Sequence, residues 1–155
     1  MISENDLWKE YLNRTAKKLS LRMVQKKWSR RSIFNLEKEL FVGFFSVRKL
    51  IESNAAPKEL LNKKYKSLHF PRKYFSEVEI DNEISYKPPK GFFKEITVRD
   101  ICNQFIHSYH MHRFCVNNYL IGFFINSDFQ NKIGIYLITI FDIVEIYKLC
   151  SAKKD

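Results

Sequence analysis

Arg99, Asn103, His107 and His110 follow one another at spacings of four, four and three within TVRDICNQFIHSYHMH, residues 97–112. At about 100° per residue, that spacing sets a guanidinium, an amide and two imidazoles along one stripe of a helix. Ile101, Cys102, Phe105, Ile106 and Tyr109 form the neighbouring apolar stripe. A helix that buries one edge and lines the next with such groups has the makings of a site wall. The chemistry they suit is that of phosphate esters. Imidazole, with an ordinary pKa of about 6.5, can take a proton from a ribose 2′-hydroxyl or give one to a leaving oxygen. A forked guanidinium suits the charge that gathers on a phosphate, and Asn can orient the imidazole or donate to a phosphate oxygen. The plainer reading makes His107 a helix-interface imidazole, Arg99 a surface residue near a helix start and Asn103 a polar packing residue.

Thr97, with Asp100 three residues on, forms a capping-box pattern that starts this helix. Upstream, Asp6 to about Lys18 has helical apolar spacing, and from Ser32 a seam of Ile33, Leu36, Leu40, Phe44, Val47 and Ile51 predicts a central core helix. Phe34, Phe41 and Phe45 add apolar surface on its other faces. Asn54 to Pro57 ends it, and a further helix is expected from Pro57 to about Tyr65. Residues 76–87 alternate as a short strand, and Pro88, Pro89 and Gly91 make a loop. Tyr119–Asn126 and Ile133–Ile140 read as a hairpin, followed by a last helix capped by Thr139 and Asp142. The expected fold is α+β and mainly α: one domain, 1–155, a helical bundle with a small antiparallel hairpin or sheet near the C-terminus. Within it, 1–31 is a basic helical segment, 32–112 the helical core, and 119–150 the hairpin and terminal helix.

The chain holds 27 Lys and Arg against 17 Asp and Glu, a net charge of +10. Such an excess favours polyanions, nucleic acid first and an anionic membrane surface second. Residues 1–35 carry nine basic and three acidic side chains, a net of +6. Lys17, Lys18, Arg22, Lys26, Lys27, Arg30 and Arg31 have the spacing of a helix or arm able to follow phosphates, with His110 as a further contact from the marked helix. Trp28 among them is either a core anchor or a base-stacking ring.

CNQFIH, Cys102 to His107, resembles the motif of HEPN domains (higher eukaryotes and prokaryotes nucleotide-binding). That family is a helical bundle, often dimeric, whose members frequently cut RNA without a metal. Its signature is an Arg followed by a polar residue and, further along the helix, a His. Asn103 stands where the polar residue belongs and His107 where the His belongs. Cys102 occupies the position of the Arg, and Arg99 shares the helix face. The resemblance implies an RNA-associated bacterial protein of toxin–antitoxin or phage-defence type. It would be either a metal-independent ribonuclease using Arg99, Asn103 and His107 or a degenerate relative that does not cut. It also implies a homodimer and a protein partner encoded nearby.

A different class of reading is a non-catalytic interaction module, pairing through the aromatic central helix or through the apolar run Val116–Ile125 at the hairpin edge. No cofactor is expected. His107, His110, His112 and Cys115 are close in sequence, but His112 points roughly 140° away from His107 around a helix, so no metal site is expected. Cys102, Cys115 and Cys150 are sparse and odd in number, as free thiols in a reducing compartment are. The start, MISENDLWKE, lacks a signal-peptide pattern, and Ile133–Ile146 falls short of the roughly 20 apolar residues of a membrane span. A cytoplasmic protein without membrane partners is the expectation.

Overall fold

Short polar side chains decide where the helices begin. Ser3 caps α1 (Glu4–Arg22) and Ser29 caps α2 (Arg30–Glu52), each in a reciprocal box with the residue three positions on. The computed structural model describes residues 1–72 and 92–153, so the strand expected over 76–87 and the loop after it lie outside the described residues. In α2 the seam Leu36, Leu40, Phe44 and Val47 is wholly buried, each side chain removing enough apolar surface to stabilise by about 1.5–3 kcal/mol. Phe34 and Phe45 of the same helix stay exposed, so α2 is packed on one broad side only.

Pro57 precedes a single turn, α3 (Lys58–Asn62), and the chain then becomes β1 (Lys64–Pro71). β2 (Phe92–Thr97) leads into α4 (Val98–Ile106), followed by β3 (Ser108–Val116), β4 (Tyr119–Ser127), β5 (Gly134–Thr139) and α5 (Ile140–Ser151). The strands form one antiparallel sheet in the order β2-β1-β5-β4-β3. This overturns the expected bundle with a small C-terminal hairpin, and with it the helical architecture the HEPN resemblance implies: the protein is α+β around a central five-stranded sheet.

Two segments account for the difference. Tyr65 to Phe70, expected to end a helix and break, alternates sides in β1, because its ladder to β2 and β5 outweighs local helix preference. Ser108 to His112, expected to continue a helix, pairs with β4, for example Met111 with Ile125 and His112 with Phe124. Asn117 and Asn118, both at positive φ, close the β3–β4 hairpin; Asn tolerates the left-handed geometry that a two-residue turn needs. β4 is therefore paired on both sides, so Tyr119–Ile125 of the run expected to offer a pairing edge is interior to the sheet, and only Val116 lies on the edge strand β3.

The helices cover one sheet face. Phe44 of α2 stacks on Phe105 of α4 at 4.3 Å between ring centroids, and Phe105 meets Phe123 of β4 edge-on at 6.2 Å. On the other face Phe70 and Ile135 form a smaller cluster with Leu68, Phe124 and Leu137. α5 returns the chain against α1, and Lys9 Nζ donates to the Ala152 carbonyl at 3.1 Å.

Candidate functional site

α4 begins as its sequence dictates. Thr97 Oγ1 accepts from the Asp100 N–H at 3.2 Å, and the Asp100 carboxylate accepts from the Thr97 hydroxyl at 2.7 Å. Val98, Ile101, Cys102, Gln104 and Phe105 turn inward, which leaves Arg99 and Asn103 outward. The helix stops at Ile106. His107 is its C-cap, exposed, with its N–H donating to the Asn103 carbonyl at 3.1 Å. Arg99, Asn103 and His107 thus share the outer face of α4, while His110 leaves the row and sits on β3. The expected four-residue stripe is cut to three by the change from helix to strand.

All three are exposed, and no hydrogen bond or ion pair among the described residues joins their side chains. An imidazole that nothing orients is poorly prepared for general acid–base work. Cys102, where the motif would carry its Arg, is 2% exposed, and burial among apolar neighbours pushes its thiol far up from the ordinary range. It supplies no charge to a phosphate.

What sequence reasoning missed is the amide network behind this junction. Gln104 Oε1 accepts from the Ser127 N–H at 2.9 Å. Asn126, fully buried, accepts from the His110 N–H at 3.1 Å and donates to the Gly134 carbonyl at 3.1 Å. The Asp128 N–H donates to the His107 carbonyl at 3.2 Å. The only hint in the sequence is an Asn closing the apolar run YLIGFFIN. A second missed cluster ties α5 to the start of β1: Lys63 Nζ meets Glu145 Oε1 at 2.6 Å and lies over the Tyr65 ring. Burial, with Glu145 nearby, holds the Asp142 carboxyl above the ordinary range.

The cations of the N-terminal segment divide. Arg22 is spent on structure: its guanidinium pairs with Glu39 at 3.2 Å, both side chains largely buried, and donates to Gln25 Oε1 at 2.8 Å. That corrects its expected place on a phosphate surface. Trp28 packs against the main core, and the Arg113 guanidinium lies 5.2 Å from its ring, so Trp28 is the anchor rather than the stacking ring. Lys17, Lys18, Lys26, Lys27, Arg30 and Arg31 are exposed, and none of them is in an ion pair among the described residues.

Lys26 and the α4 row lie at opposite ends of β4. Lys26 Nζ lies 5.1 Å from the ring of Tyr119, the first residue of β4, whereas His107 bonds to Asp128, just past its last. At about 3.3 Å per residue, the strand between them is roughly 25–30 Å long. Among the described residues, no three His, Cys, Asp or Glu side chains come together as metal ligands do, and no helix is long and apolar enough to cross a membrane. No family model, curated protein or solved structure matches this chain.

Proposed function

We propose that this protein binds RNA through its cationic end and does not cut it. The observation that carries the reading is the set of six exposed, unpaired cations, Lys17, Lys18, Lys26, Lys27, Arg30 and Arg31, gathered where α1 turns into α2. Cations without acidic partners keep their full attraction for phosphate, and releasing counterions from RNA drives the association. The non-cutting half rests on the unsupported imidazole of His107, on the buried thiol of Cys102, and on the length of β4 between His107 and Lys26. Free, sparse thiols fit a cytoplasmic setting for this activity.

The test is fluorescence anisotropy with labelled RNA across a salt series. If all six cations reach phosphates, log affinity falls against log salt with a slope of roughly 4. Reversing Lys26, Lys27, Arg30 and Arg31 together removes most of the binding. Salt-independent binding, or none, overturns the reading. Metal-free incubation of mixed RNA tests the second half: cleavage by the native chain that disappears in His107→Ala would restore a nucleolytic role.

A further inference from the structure

The first two turns of α2 combine cations with an aromatic ring on one outward stripe. Arg30, Phe34 and Lys38 recur at intervals of four, with Arg31 and Asn35 beside them, and all five are exposed. A four-residue step along a helix is about 6 Å, so each cation lies one turn from the ring. Phe34 is 62% exposed, an unusual position for a large apolar ring in a helix whose other face supplies the core. The first turn of α2 also carries two arginines and no acid, whereas α1, α4 and α5 each open with a carboxylate. Positive side chains at a helix start oppose its dipole, and a bound anion relieves that opposition.

We infer that this stripe takes single-stranded RNA, with an unpaired base stacked on Phe34 and the flanking phosphates on Arg30, Arg31 and Lys38. The inference rests on the RNA reading above and names the form of RNA. Every base presents a flat face to an aromatic ring only when it is out of a duplex, and stacking between cations that track the backbone is how unpaired strands are held without sequence preference. Leu21 and Val24, also exposed at this end, would serve a different partner, an anionic bilayer into which aliphatic side chains insert.

The experiment compares a labelled uridine oligomer with an RNA duplex of equal length, using the full chain and the variants Phe34→Ala, Phe34→Leu and Phe34→Trp. Phe34 is exposed, so each variant folds, which circular dichroism checks. The expected result is tighter binding of the single strand, weakened about tenfold or more by Ala and by Leu and kept by Trp, with the duplex indifferent to all three. Equal binding of both RNA forms, unchanged by Phe34→Ala, overturns the stacking role and leaves the RNA reading standing. Failure of either RNA to bind removes both. Sedimentation with phosphatidylserine vesicles, kept by Phe34→Leu and lost in Leu21→Ser with Val24→Ser, assigns the surface to a bilayer and overturns the inference.

Discussion

Gly43 lies directly beneath the ring of Tyr147: a Cβ added at position 43 would collide with the Tyr147 hydroxyl and ring carbons. That close approach lets the Tyr147 hydroxyl reach the Leu40 carbonyl at 3.0 Å and joins α2 to α5 in the centre of the core. Gly43→Ala should therefore destabilise the protein by about 1–3 kcal/mol through overpacking, and Tyr147→Phe by about 1 kcal/mol through the lost hydrogen bond. Thermal denaturation of the two variants checks both values. A Gly43→Ala protein as stable as the parent would show that α2 and α5 are not pressed together there.

His69 gives the stability a pH dependence. Its imidazole is 1% exposed, neither ring nitrogen has a hydrogen-bond partner among the described residues, and it packs edge-on against Tyr136 at 4.7 Å. Burial, reinforced by Lys94, lowers its pKa from 6.5 to about 4. Because the unfolded chain takes up the proton first, the contribution is complete above about pH 6.5 and is lost as pH falls toward 4. The loss is on the order of 3 kcal/mol. Urea titrations at pH 7 and pH 5 should show the decline, and His69→Leu should flatten it. A slope that survives the substitution assigns the effect elsewhere.

Arg22 and Lys27 should separate stability from binding. Arg22→Ala strands the buried Glu39 carboxylate and should cost on the order of 3 kcal/mol, with RNA affinity per folded molecule little changed. Lys27→Ala leaves stability within about 0.5 kcal/mol and lowers affinity. Pairing denaturation curves with anisotropy distinguishes the two, and a reversal of these patterns would return Arg22 to the phosphate surface.

Asn126→Leu removes the amide that accepts from the His110 N–H and donates to the Gly134 carbonyl. A loss of about 2–4 kcal/mol is expected, together with faster hydrogen exchange at His110 than at Ile138. Unchanged exchange at His110 would show that the amide does not hold the start of β3.

The parts of this fold that were legible in the sequence are those whose pattern is long or whose chemistry is local. The α2 seam repeats over several turns, and the Thr97–Asp100 box marks the start of α4 within four residues. The switch at His107 was not legible, because His107 and His110 keep a helical interval while the decision is made by β4, far along the chain. β1 was hidden for the same reason: Tyr65 to Phe70 is a strand because of Ile96 and Leu137. In the candidate site, the helix face of Arg99 and Asn103 could be read from spacing. That Arg22 is withdrawn from solvent could not, since Glu39 sits on another helix.

β5 is the seam between two otherwise separate hairpin-like pairs, β1 with β2 and β3 with β4. Until the ribosome has released this late strand, neither pair has its inner neighbour, and the first helix still lacks the last one to rest on. The sheet therefore cannot close before β5 has been made, and its pairing is slowed by the distance in sequence between partners. A nascent chain halted before Gly134 would present two raw sheet margins to its neighbours and become a substrate for chaperones.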